Sequence, residues 1–128
     1  MSDDNSKLSL LMEAGFLAAA MGMTAKAIVI FSALRLVRPD SEAPILGLAL
    51  TFVNMGRFRD AAQLLSEEGF KKNPDSDLLR AMLGLTFQLA GREEEAAKLF
   101  DAVIEADREP TAVKLAANFR PTRQTQPA

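Results

Sequence analysis

Residues 46–61 read Leu-Gly-Leu-Ala-Leu-Thr-Phe-Val-Asn-Met-Gly-Arg-Phe-Arg-Asp-Ala, from Leu46 to Ala61. Apolar residues at helical spacing lead up to Met55, Gly56 interrupts them, and a second helical pattern starts at once. Glycine at such a place suits the left-handed conformation that ends a helix. The surroundings of Gly56 recur at Ala20-Met21-Gly22 and Leu89-Ala90-Gly91, so the three glycines stand 34 and then 35 residues apart. Other positions keep step with them. Five residues beyond each glycine comes Ala27, Ala61 or Ala96, and nine beyond comes Phe31, Leu65 or Phe100. Seven residues before it lies Gly15, Ala49 or Gly84, while Pro39, Pro74 and Pro110 follow at 17, 18 and 19 residues. A period of this length marks a chain built from repeated supersecondary units.

Each unit reads as two amphipathic helices joined at its glycine. Ser41 and Ser76 are candidate N-caps for the first helix of the second and third units. The prolines forbid helix continuation and separate the units. Small residues in pairs, Gly15 with Ala27, Ala49 with Ala61 and Gly84 with Ala96, let paired helices approach closely. Phe31, Phe52, Phe58, Phe87 and Phe100 are assigned to the layers between helices. Thr111 to Phe119 is predicted as a short seventh helix capped by Thr111, with Val113, Leu115 and Ala116 packed over the last unit. An extra residue near Gly69 is expected to loosen the end of the second unit's second helix.

The pattern resembles the tetratricopeptide repeat over residues 8 to 110, most fully from Leu46-Gly47-Leu48-Ala49 through Phe52, Gly56, Phe58 and Ala61. The first unit departs from it at Ala18, where that family favours an aromatic residue, and the third at Glu93. The resemblance implies an all-α fold of three tandem helix-turn-helix units, about 8–41, 42–76 and 77–110. They would form a short right-handed superhelix, with the final helix at 111–119. Residues 1–7 are then a polar lead and 120–128 a polar, disordered tail.

Composition narrows the chemistry. The chain has 128 residues, 48% of them hydrophobic and 25% charged, which suits one domain with a real core. Its 15 basic and 17 acidic residues give a net charge of -2, so no broad basic field for nucleic acid is expected. There is no Cys, His, Trp or Tyr. Disulfides, zinc fingers, imidazole-ligated metals and Ser-His or Cys-His nucleophile pairs are therefore impossible. No phosphate-binding loop, dinucleotide fingerprint or calcium loop occurs. Neither an enzyme nor a cofactor or metal is expected. The polar, acidic start Met1-Ser2-Asp3-Asp4-Asn5 does not read as a secretory signal. The uncharged stretch from Ala14 to Ala25 is shorter than the ~20 apolar residues of a membrane span. A soluble, cytoplasmic protein without membrane insertion is the expectation.

In a stack of helix pairs, the first helix of each pair lines the concave side. The tetratricopeptide register places Met12, Phe16 and Ala19 there from the first unit. The second offers Leu46, Leu50 and Val53, and the third Leu78, Ala81, Leu85 and Gln88. The lysines and asparagines with which some family members grip a terminal carboxylate are missing from these positions. The apolar lining implies an apolar client segment. The first helix also carries Leu8, Leu11, Leu17 and Met21, apolar residues where a terminal repeat normally presents a polar face. They are assigned to a surface covered by a partner or by a second copy. Glu93-Glu94-Glu95 is placed in the first turn of a helix, complementing its dipole. Arg35, Arg38, Arg57 and Arg59 form a modest basic rim.

The run from Ala27 to Leu36, then Pro39-Asp40-Ser41 and Leu46-Gly47-Leu48-Ala49, resembles the small cytoplasmic chaperones of bacterial type III secretion. That resemblance implies an ATP-independent chaperone holding an export substrate, such as a translocator, needle or early export subunit, with dimerisation through the N-terminal region. The competing expectations are a repeat scaffold in a stable assembly unrelated to secretion, and a self-assembling structural protein.

Overall fold

A computed structural model of the protein describes residues 2–120, with side chains from residue 6 onward. Among the described residues the fold is all-helical, without strands. Helices α1 (Ser2–Ala20) and α2 (Thr24–Val37) pair, followed by α3 (Ala43–Asn54) and α4 (Phe58–Leu64). The last of these runs on through a π-helical turn (Leu65–Gly69) into the short α5 (Phe70–Lys72). Helices α6 (Asp77–Leu89), α7 (Glu93–Ala106) and α8 (Pro110–Phe119) complete the chain. The sequence begins α1 at residue 8, but the helix starts at Ser2. No proline lies between residues 2 and 20 to stop it.

The periodic glycines act as the sequence predicts. Gly22, Gly56 and Gly91 have φ of 77°, 76° and 85°, the left-handed region. Behind each one the chain closes the same cap. The amides of Met23, Arg57 and Arg92 donate to the carbonyls of Ala18, Phe52 and Phe87 at 2.8 Å, and each glycine amide donates to a carbonyl three residues back. This paired closure satisfies carbonyls that a helix end would otherwise orphan.

The helix starts follow sequence less uniformly. Ser76 caps α6, accepting from the amide of Leu79 at 3.1 Å. Ser41 accepts from the amide of Ala43 at 3.3 Å, one residue ahead of the Glu42 N-cap position. Thr111 is not the cap of α8. Glu109 caps it instead, accepting from the Thr111 amide at 2.9 Å, and Pro110 opens the helix. Proline's fixed φ and missing N–H suit the first helical position, so Pro110 starts a helix as well as ending a unit. The expected loosening near Gly69 takes the form of the π turn, which absorbs one added residue within a continuous helix.

The helices group into two compact bodies, the first ending at Pro74 and the second beginning at Asp75. In the first body, Phe31 is fully buried among Ala18, Ala19, Ala27, Leu34 and Leu48. Its ring meets that of Phe16 edge-on, with centroids 4.9 Å apart. A β-carbon added at Gly15 would lie 2.8 Å from the Phe31 ring, so the small residue is what admits it. In the second body Phe100 is fully buried, and a β-carbon at Gly84 would lie 2.6 Å from its ring. Burying each ring contributes on the order of 1.5–3 kcal/mol. Phe52 packs against the Phe31 cluster from its edge, but neither it nor Phe87 is fully buried. Both are half-buried, and the guanidinium groups of Arg57 and Arg92 lie over them, 5.2 and 4.5 Å from the ring centroids.

The tail reading of 120–128 falls, from residue 121 onward, outside the described residues.

Candidate functional site

The ten positions assigned to the concave side separate by burial. Ala19, Val53, Ala81 and Leu85 are buried. Met12, Phe16, Leu46, Leu50, Leu78 and Gln88 are half-buried. Met12 and Phe16 pack against the Phe31 cluster. Gln88 keeps a buried Oε1 that accepts no hydrogen bond among the described residues. Two rows across the repeats stay apolar, Met12 with Leu46 and Ala81, and Phe16 with Leu50 and Leu85, while the next, Ala19 with Val53 and Gln88, turns polar in the third. Leu78 lies outside these rows, three residues before Ala81.

The second assigned surface lies on α1. Leu8 is half-buried against the Phe31 cluster and belongs to the core side. Leu11, Leu17 and Met21 are exposed, and Leu10, which the sequence reading passed over, is 67% exposed beside them. Spacings of three and four residues place Leu10, Ala14, Leu17 and Met21 in one stripe along the helix. On α2 the exposed apolar residues are Val29, Leu36 and Val37, which sequence reasoning also missed as a surface. The signal for Val29 and Leu36 lay in comparing equal positions of the repeat, where the other units carry Gln63 and Lys98, and Lys71 and Glu105.

Two arginines of the basic rim, Arg35 and Arg57, are held in ion pairs. Arg35 pairs with Glu68 at 2.6 Å, joining α2 to the π turn. Arg57 pairs with Asp60 at 2.6 Å, just as Arg92 pairs with Glu95 one repeat later. Beside the first pair lies an open cavity of about 750 Å³ lined by Arg35, Leu36, Pro39, Glu67, Glu68, Lys71 and Lys72. A smaller one of about 290 Å³ lies at Phe52, Arg57, Asp60, Gln63 and Leu64 and shares the two glutamates.

In the second body, Asp77 in the first turn of α6 is almost fully buried. It accepts two bonds from Arg108, at 2.8 and 3.0 Å, and one from Arg80 at 3.0 Å. The hydrogen bonds from Arg108 hold the Asp77 carboxyl below its ordinary range, with the nearby charges of Arg108 and Arg80 assisting against the opposing effect of burial. Arg108 is pushed up by the same contact, and Arg120 by its pair with Asp101. The bonds from Arg108 to Asp77 clasp the first turn of α6 to the segment between α7 and α8. Glu93, Glu94 and Glu95 stand in the first turn of α7.

Among the described residues no group of carboxylates is arranged to hold a metal ion, and no helix is long and apolar enough to cross a membrane. No protein-family model matches the chain, and no curated protein matches it significantly.

Proposed function

We propose that the chain is a three-unit tetratricopeptide-repeat chaperone. Its right-handed stack would hold an aggregation-prone type III secretion export substrate, a translocator, needle or early export subunit, along an apolar groove. The observation that carries the reading is the pair of half-buried leucines on α3, Leu46 and Leu50. They repeat, in register, the half-buried Met12 and Phe16 of α1. Apolar groups left partly open at matching positions of successive helices suit an apolar segment laid across them. Methionine at one of these positions adds a side chain that repacks readily around different partners.

A holdase needs no chemistry of its own, and the absence of Cys and His agrees with that. It needs an adaptable apolar surface and a soluble exterior, and it works in the cytoplasm before export. No nucleic acid and no cofactor enter the reading. The test is to purify the tagged protein from its host under secretion-inducing conditions and identify what co-elutes. One small secretion subunit in near-stoichiometric amount supports the chaperone. Several folded proteins in lasting association overturn it in favour of a scaffold.

The exposed stripe of Leu10, Leu17 and Met21 favours a second reading, self-association through the first helix. A homodimer built this way is compatible with the chaperone and, if no client is found, replaces it as a self-assembling structural role.

A further inference from the structure

The solvent-facing residues of the second helix in each pair can be compared at equal distance from the preceding glycine. Three residues beyond it stand Ala25, Arg59 and Glu94, and seven beyond stand Val29, Gln63 and Lys98. Eleven beyond stand Ala33, Glu67 and Ala102. All nine are exposed. The π turn then inserts one residue, so Leu36 of α2 corresponds to Lys71, and in the third unit to Glu105. The same chain has therefore built a polar outer face on the second helix twice and an apolar one once. Val29 is 68% exposed and Leu36 83%. An isolated exposed leucine means little, but a stripe whose counterparts in the other two units are polar or charged at every position but Ala102 marks a contact surface.

The stripe has the relief of a helix-packing surface. Small Ala25 and Ala33 alternate with larger Val29 and Leu36 at four- and three-residue steps, giving hollows between ridges along one face. Its border is basic. Helix α2 and its C-cap carry Lys26, Arg35 and Arg38 and no carboxylate, in a chain whose net charge is -2. Lys71 and Lys72 line the open cavity into which Leu36 also reaches. Of the two glutamates there, Glu68 is held by Arg35 at 2.6 Å.

We propose that the outer face of α2 docks an amphipathic helix of a partner protein, its apolar stripe bordered by Asp and Glu. Val29 and Leu36 supply the apolar contact, while Lys26, Lys71 and Lys72 select the acidic border and orient the approach. This surface is separate from the groove positions on α1, α3 and α6 and does not rest on the chaperone reading.

The test uses the full chain and a fluorescent three-heptad helical peptide with Leu at its core positions and Glu at its flanks. The control peptide carries Lys in place of every Glu. Anisotropy should show saturable binding of the Glu peptide, about ten-fold weaker for the Lys peptide and for the Val29→Glu or Leu36→Glu variant. Both substituted positions are exposed, so circular dichroism should match the parent. Lys98→Ala, at the third unit's counterpart of Val29, should leave the affinity unchanged, and Leu46→Gln reports any binding in the proposed groove. Equal binding of the two peptides, no binding, or a loss seen with Leu46→Gln but not with Leu36→Glu overturns the proposal. So does binding to phosphatidylserine vesicles, lost in Leu36→Glu, without binding of the Glu peptide, which assigns the face to a lipid surface instead.

Discussion

A β-carbon placed on Gly47 would lie 2.3 Å from the ring of Phe31, closer than the same addition at Gly15 would bring it. The ring is fully buried and edge-on to Phe16, so it has no open space to retreat into. Gly47→Ala should therefore lower stability by about 1–3 kcal/mol, the usual cost of overpacking. Urea unfolding of the two proteins measures it. Equal midpoints would mean that the ring gives way freely and that Gly47 is not what positions α3 against α2.

Gly56 tests a different cost. A β-carbon there would meet nothing within 4 Å, but φ is 76°. Gly56→Ala is thus a pure backbone penalty, about 1–2 kcal/mol for a left-handed non-glycine residue. Gly56→Asn should cost less, because asparagine tolerates that region. If both variants match the parent in thermal unfolding, the turn is not held in the left-handed conformation.

These two glycines show what the sequence could and could not disclose. The turn glycines were legible because they recur with their surroundings at 34 and 35 residues, and their geometry repeats in the hydrogen bonds behind them. The contact of Gly47 with Phe31 was not, since it joins helices of different pairs and leaves no trace in spacing. Phe52 and Phe87 looked like core by their period, yet each is half-buried beneath an arginine that follows it by five residues. The candidate groove suffers from the same ambiguity. Phe16 and Ala19 are neighbours on one helix face, and only the packing leaves Phe16 half-buried and Ala19 buried. Periodicity locates a face of a helix, not the line across it where core ends and surface begins.

The Asp77 clasp predicts a pH dependence. Its carboxyl is lowered from an ordinary 3.8, chiefly by the hydrogen bonds from Arg108. The unfolded chain then binds a proton before the folded one does as the pH falls. The stabilisation is accordingly complete at neutral pH and is lost below 3.8, down through the folded value. Asp77→Asn should lower stability at pH 7 by about 1.5–3 kcal/mol, the range for hydrogen bonds to a charged group. The gap between variant and parent in urea melts should narrow as the pH falls below 4. A gap that stays constant would show that Asp77 acts through packing rather than charge.

The stripe on α1 gives the last prediction. Leu17 is 61% exposed, but the residues at the same position of the next two units, Thr51 and Thr86, are fully buried. Each of those threonines donates its hydroxyl to the carbonyl four residues back, Gly47 or Met82, at 2.8 Å. Around Thr51 the covering comes from α1 and α2, both of which pack against α3. Helix α1 has the equivalent face with no described helix over it, and that face is Leu10, Ala14 and Leu17. If a second copy covers it, sedimentation should show a dimer in the parent protein. Leu10→Asp with Leu17→Asp should then give a folded monomer, since both side chains point away from the core. Leu46→Gln and Leu50→Gln should keep the dimer and lose the client. A parent that is monomeric at high concentration rules out the homodimer. Groove variants that dissociate the dimer as strongly as the α1 variants would show that the two faces are not separate surfaces.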